Sequence, residues 1–332
     1  MRQTKITPSL KKTGSRFMQK QESSIIIVTL LYIIFVSCIN PVFISSSNLF
    51  NILKNTGYSL ITVVGMSLVL ITGGLDLSVG AVLALGGIVT GLACKSGLPV
   101  WLAILLALLT GVIVGLVNGL VIVKAGIPPL IVTLGTQYIC RGLVSVITQG
   151  VPIYPLPDSL KAIDKIRVAG VPMVVIFAFL MVAIGYFLLT RTPFGRSVYA
   201  LGGNEEAARI SGINIQKTRV LVYVLTSVLA VLSGVFITSR LGSAEAAAGS
   251  GFEMTVICGA VIGGVSSFGG VGSILGAAIG AFFMEVLTNS LTLMKVSVYW
   301  QNVVVGVVLV LAVMLDQYKR RVMVKKSIKA TK

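Results

Sequence analysis

Ten apolar runs follow one another along the chain, at about 23–39, 57–72, 77–94, 99–123, 127–148, 171–190, 219–239, 252–267, 272–294 and 297–315. A helix needs about 20 consecutive apolar residues to cross the hydrocarbon of a bilayer. Inside that hydrocarbon each segment must satisfy its own backbone hydrogen bonds, so the spans are expected as α-helices. The composition agrees: 55% of residues are hydrophobic and 11% charged, where a soluble domain carries about 25% charged residues. The fold class read here is an all-α polytopic membrane protein with about ten transmembrane helices. It comprises a basic tail over 1–22, a single membrane domain over 23–316 and a second basic tail over 317–332. The first run is read as a retained helix, because it lacks a small-x-small cleavage site and Phe35-Val36-Ser37-Cys38 is a poor lipoprotein box.

The net charge of +17 is concentrated at the ends. Arg2, Lys5, Lys11, Lys12, Arg16 and Lys20 precede the first run; Lys319, Arg320, Arg321, Lys325, Lys326, Lys329 and Lys332 follow the last. Basic residues beside spans mark the cytoplasmic side and pair with anionic lipid. With the amino terminus inside, nineteen of the 27 Lys and Arg residues fall inside, and ten crossings return the carboxyl terminus to the same side. A multi-pass membrane protein with both termini cytoplasmic is expected. No aromatic-studded basic segment accompanies the charge, so nucleic acid is not expected as a partner. Cys38, Cys94, Cys140 and Cys258 form no C-x-x-C pair and histidine is absent, so neither a Cys/His zinc site nor a His general base is expected.

An internal repeat organises the spans. Leu75-Asp76-Leu77-Ser78-Val79 followed by Gly86-Gly87 matches Phe252-Glu253-Met254-Thr255-Val256 followed by Gly263-Gly264. Five crossings separate the two copies, so they are inverted relative to each other, with halves at about 57–148 and 219–315 and a pathway expected between them. Gly111, Gly115, Gly119 and Gly272, Gly276, Gly280 form G-x-x-x-G rows. These are read first as close packing within one subunit, and second as a dimer interface.

A carboxylate at membrane depth is costly. Asp76 and Ser78 are read as N-caps of the third span, and Glu253 as the equivalent in the other half; a proton or cation site is the alternative. Glu285 has no local partner in the sequence. Asn118, Gln137, Arg141 and Asn289 are candidates to line a pathway. Tyr299-Trp300-Gln301-Asn302 can contact a polyhydroxy solute, or supply interface aromatics.

Two links are longer than the rest. In the outer one, Pro152, Pro155 and Pro157 delay a short amphipathic helix that Asp158 can cap, with Leu160, Ile163 and Ile166 on one face. In the inner one, 191–218, Asn204 is expected to cap a short helix with Glu205 and Glu206 in its first turn, and Gly212 to stop it. That order suits a rigid, charged knob for docking, with Arg196, Gly202, Gly203, Asn204, Glu205, Glu206, Arg209 and Gly212 as its residues; a simple connector is the alternative.

Gly74-Leu-Asp-Leu-Ser-Val-Gly80 and Tyr199-Ala-Leu-Gly-Gly-Asn-Glu-Glu-Ala-Ala-Arg-Ile-Ser-Gly-Ile213 resemble signature segments of the ribose-type sugar permeases of bacterial ATP-binding-cassette importers, a family that also serves xylose, arabinose, galactose-type sugars and autoinducer-2. The resemblance runs from about Pro41 to Asp316. Glu206-Ala-Ala-x3-Gly212 fits the general coupling motif of importer permeases; its later Ile-x-Leu-Pro part is absent, and Ala81 stands where the family often has Ser. The resemblance implies a type II importer-like permease that works as a dimer with an identical or homologous permease. It also implies two cytoplasmic ATPase domains and a periplasmic sugar-binding protein. No G-x4-G-K-[ST] loop occurs, so ATP is expected to be used by a separate subunit, with no cofactor on this chain. No enzymatic activity is expected. The competing reading is an ion-coupled secondary transporter with its own intramembrane carboxylate.

Overall fold

The structure is a computed structural model that describes the backbone from Leu10 to Ala330 and the side chains of residues 24–318. The basic side chains of the two tails lie outside the described residues. The helices are α1 (Leu10–Ile39), α2 (Ser46–Ile71), α3 (Val79–Lys95), α4 (Val100–Ala125), α5 (Pro129–Thr148), α6 (Asp158–Lys165) and α7 (Met173–Arg191). Then follow α8 (Pro193–Gly203), α9 (Glu205–Ile210), α10 (Ile215–Leu241), α11 (Phe252–Ile262), α12 (Ile274–Leu293) and α13 (Val298–Ala330). A small hairpin, β1 (Arg167–Val168) with β2 (Val171–Pro172), follows α6.

Every apolar run is helical, with corrections at the ends. Among the described residues seven helices are long and apolar enough to cross a membrane; Ser24–Ile39, Val79–Lys95 and Phe252–Ile262 are shorter apolar segments. The run at 57–72 is only the later part of α2, which Ser45 caps eleven residues earlier in a polar stretch. The run at 252–267 is not one span. Gly263 ends α11, and Gly264 at φ 97° takes a conformation few side chains tolerate. At 1.5 Å per residue, α11 reaches about 16 Å, roughly half the hydrocarbon thickness.

Beyond Gly57, helix α2 is largely apolar and buried, as a core helix should be. It packs on α7, α10, α11 and α12, while α10 packs on α2, α3 and α4. The glycine rows explain these approaches. A Cβ on Gly115 would meet Val224 Cα at 2.5 Å, and one on Gly119 would meet Val220 Cα at 2.7 Å, so α4 lies flush on α10. A Cβ on Gly280 would sit 2.0 Å from the Gly259 carbonyl, and one on Gly263 2.1 Å from that of Gly276. Both rows therefore serve contacts inside the subunit, where dispersion between close backbones is what holds helices together in lipid.

The helix ends collect on two opposite faces. On one, Asn40 at the end of α1 donates to the Leu293 carbonyl at the end of α12. Lys54 near the start of α2 pairs with Asp164 of α6 at 2.6 Å, and Arg240 at the end of α10 donates to Asn55. On the other, Gly270 N–H donates to the Ile71 carbonyl at 2.8 Å, Tyr199 of α8 donates to Gly272 at 2.7 Å, and Asp316 of α13 accepts from Ser266 and Ser267. The α6 helix forms where expected, but Asp158 is its first residue, and Pro157 occupies the cap. Asp158 instead pairs with Lys161 at 2.6 Å, whose ammonium holds its carboxyl below the usual range. Leu160 is fully buried; Ile166 lies past the helix end and stays exposed.

Candidate functional site

Two chain breaks meet inside the bundle. After α2, Gly73 at φ 76° turns the chain back toward the start of α3. There Asp76, wholly buried, accepts from the Ser78 N–H at 2.9 Å and from its hydroxyl at 2.6 Å. Ser78 does occupy the N-cap of α3, but its side chain makes no capping bond. Its hydroxyl is taken by Asp76, so Asp76 braces the turn two residues upstream of where a cap would act. Asn118 of α4 donates to that same hydroxyl at 3.1 Å and accepts from Thr136 of α5 at 2.6 Å. Fully buried, Asn118 ties α4 and α5 to the first break.

The second break runs from Gly242 to Gly251, between α10 and α11. Glu253 lies in the first turn of α11, where Gly251 is the N-cap, so it is not a capping residue either. Gln137 donates to its Oε1 at 3.2 Å. Arg141 donates to the carbonyls of Ala246 and Ala248 at 2.8 and 2.6 Å. Both candidates from α5 thus hold the second break in place. Asn289 exchanges hydrogen bonds with Asn48 of α2 at 2.9 and 3.0 Å. Each of the four pathway candidates makes a hydrogen bond to another element. The two breaks touch: a Cβ on Gly80 would lie 2.3 Å from both Glu253 Oε2 and the Gly249 carbonyl. Glu285, without a partner in the sequence, accepts from the Ser59 hydroxyl of α2. Tyr299 and Trp300 are 83% and 64% exposed, as interface aromatics would be, while Gln301 and Asn302 line a cavity of about 490 Å³.

The inner link forms a platform of two helices. The sequence reading missed α8, although Thr192-Pro193 announces it. Thr192 accepts from Gly195 N–H at 3.2 Å and Pro193 stands where a helix has no use for an N–H. Asn204 caps α9 by accepting from Ala207 N–H at 3.0 Å. Gly212 at φ 79° closes it, with Ile213 N–H on Ala208 O and Gly212 N–H on Arg209 O, a Schellman stop. The platform is not a free-standing knob. A Cβ on Gly202 would meet the Ile71 carbonyl at 1.7 Å and Gly270 N at 2.6 Å, so α8 is seated against the end of α2 and the 263–273 link. Burial pushes the Tyr199 hydroxyl up from its ordinary pKa, so it stays a donor to Gly272.

The charged residues divide. Glu205 turns inward to Arg219 of α10 at 2.9 Å. Glu206 and Arg209 pair at 3.3 Å on the exposed side, where Arg196 and Gly203 are also exposed. Beside them Ile210 is 80% exposed. The charge pattern gave no hint of this exposed apolar side chain.

A helical bundle with two buried breaks and a two-helix platform is the architecture of a membrane permease. The profile of the family described as "Branched-chain amino acid transport system / permease component" matches residues 48–313, and the chain belongs to that family. It is 44% identical over 251 residues to the ribose import permease protein RbsC of Bacillus subtilis (strain 168), which covers 75% of this chain and 78% of that protein. It is 38% identical over 248 residues to the D-allose transport system permease protein AlsC of Escherichia coli (strain K12), 74% and 76% of the two chains. It is 36% identical over 250 residues to the L-arabinose transport system permease protein AraH of the same strain, 75% and 76%. No solved structure matches the chain.

Proposed function

We propose that this chain is the transmembrane permease subunit of an ATP-binding-cassette importer that carries a ribose-like monosaccharide or related polyol. The observation that carries the reading is the α8–α9 platform. A force generated by ATP hydrolysis on another subunit has to enter through a protein contact. This platform has capped ends, an exposed Glu206, Arg209 and Ile210, and a glycine-tight seat on α2. The relatives named for ribose, allose and arabinose supply the substrate class. A second permease, two ATPase domains, a periplasmic sugar-binding protein and membrane lipid complete the assembly, with both termini cytoplasmic and the platform on the same side.

The inverted repeat draws support from the packing. Exchanging α2 with α10, α3 with α11, α4 with α12 and α5 with α13 turns the contacts of α10 with α3 and α4 into those of α2 with α11 and α12. The contact of α3 with α5 likewise becomes that of α11 with α13. Ten crossings fit this arrangement when the two breaks return the short α3 and α11 toward the faces. The ion-coupled alternative has one observation of its own: Asp76 Oδ2 and Glu253 Oε2 are buried without a hydrogen-bond partner. The relatives favour the importer.

The test is co-purification of the ATPase subunit with the permease, together with sugar-stimulated ATP hydrolysis. Glu206→Lys and Ile210→Asp, both on the exposed face, are expected to weaken capture and hydrolysis at normal membrane abundance. Wild-type values for both variants would overturn the docking role.

A further inference from the structure

We infer that the open-sided cavity lined by α11, α12, α13 and the end of the second break is a binding stop for the sugar within this subunit, with the Glu285 carboxylate as its anchoring acceptor. The inference rests on the sugar-permease reading and adds a site to it.

Glu285 is the one charged residue of α12. Carboxylates at membrane depth face the bundle interior or a water-filled cavity, and they mark substrate or ion pathways. Ser59, itself 1% exposed, donates to Oε1 and fixes the direction of the carboxyl plane. Glu285 makes no ion pair among the described residues. The nearby cation Arg240 is committed to Asn55 and lies over the Tyr58 ring. The carboxylate therefore borders the cavity of about 490 Å³ with acceptor capacity in hand, a size within the range of small-molecule sites.

The rest of the lining has the chemistry of a polyol site. Asn302, Thr255 and Ser250 keep their side-chain donors and acceptors uncommitted among the described residues. Gln301 uses its amide nitrogen on the Val296 carbonyl at 2.9 Å, leaving its oxygen to accept. Ile237, Phe252, Met254, Val305 and Leu309 supply the apolar wall. Hydroxyl groups on adjacent carbons are matched by a planar carboxylate on one side and an amide on the other. A metal cation would want several oxygen ligands of high charge, and no group of three His, Cys, Asp or Glu converges here among the described residues. The cavity lies toward the face where α12 ends and α13 begins, opposite the α8–α9 platform, and Gly249, Ser250 and Gly251 of the second break form part of its wall.

The test uses the full complex in lipid, with Asn302→Cys in a Cys38→Ser background, the other cysteines being buried. A hydrophilic, membrane-impermeant thiol reagent added outside is expected to modify Cys at 302. D-ribose, D-allose or L-arabinose at about four times its dissociation constant should slow the reaction about fivefold. Adding Glu285→Gln, which keeps an acceptor for Ser59 but removes the charge, should raise the protecting sugar concentration about tenfold or more. Absence of labelling, labelling that no sugar slows, or equal protection with Glu285→Gln would each overturn the inference, as would protection by sodium ions alone. An Asn302→Cys, Cys38→Ser complex that transports sugar but shows no protection sinks this site and spares the permease reading. Wild-type complex that transports no sugar at all sinks both.

Discussion

Replacing Gly202 by Ala should uncouple the platform from the membrane bundle, while the same change at Gly203 should be harmless. The pair differs by one position and by everything a methyl would meet. At 202 a Cβ would sit 1.7 Å from the Ile71 carbonyl oxygen and 2.6 Å from Gly270 N, both backbone atoms; at 203 nothing lies within 4 Å. A carbonyl at a helix end cannot rotate away as a side chain can, so α8 must retreat by about 1.5 Å to restore ordinary contact. That movement strains the Tyr199 bond to Gly272 and the Gly270 bond to Ile71. Overpacking of this kind costs about 1–3 kcal/mol, and a backbone-only neighbourhood puts Gly202→Ala at the upper end. Gly203→Ala removes a flexible residue from a helix and should be neutral or stabilising by up to about 1 kcal/mol. The assay is thermal unfolding in lipid nanodiscs, paired with sugar-stimulated ATP hydrolysis by the assembled complex. Gly202→Ala should lower both and Gly203→Ala neither. Equal behaviour of the two variants would refute the claim that α8 is seated by close backbone contact.

Three further outcomes follow from the same geometry. Asp76→Asn should keep most uptake, because an amide oxygen can accept from Ser78 as the carboxylate does, whereas Asp76→Ala should cost about 1–3 kcal/mol in an unfolding titration by leaving the Ser78 N–H unpaired; loss of all uptake in a correctly inserted Asn variant would instead point to an ion site. Gly115→Ala, whose Cβ would meet Val224 Cα at 2.5 Å, should destabilise the subunit by about 1–3 kcal/mol in the same titration, and Gly142→Ala, with nothing within 4 Å, should not. A reporter active only in the cytoplasm should work when fused after Arg196 or Lys319 and stay silent after Ala162; activity at Ala162 would break the inverted topology.

The positions of the helices were legible because hydrocarbon imposes a single rule, and each apolar run coincides with a helix, although α11 ends at Ile262 inside the run at 252–267. Their ends were not. Ser45 to Gly57 is polar enough to read as a loop, yet it is the first three turns of α2, held by a serine cap and by the pairing of Asn48 with Asn289. The α9 cap and stop could be read residue by residue, since Asn204 and Gly212 act on neighbours in sequence. The roles of Asn118, Gln137 and Arg141 could not. Their partners lie 18 to 116 positions away, and whether a polar side chain in a span faces a pathway or ties two breaks together depends on those partners. Ile210 and Glu285 were hidden for the same reason. Exposure of the first and the Ser59 bond of the second exist only once the helices are assembled.

The central claim is that ATP hydrolysed by a partner subunit, and not an ion gradient, drives sugar through this chain. The direct measurement is uptake of labelled D-ribose, D-allose and L-arabinose into proteoliposomes holding the permease, its ATPase subunit and its binding protein, with ATP inside and ion gradients collapsed by ionophores. The account predicts uptake of at least one sugar that requires all three proteins and ATP, that is indifferent to ionophores, and that falls with Ile210→Asp. Uptake by the permease alone, driven by a proton or sodium gradient and abolished by Asp76→Asn, would contradict it.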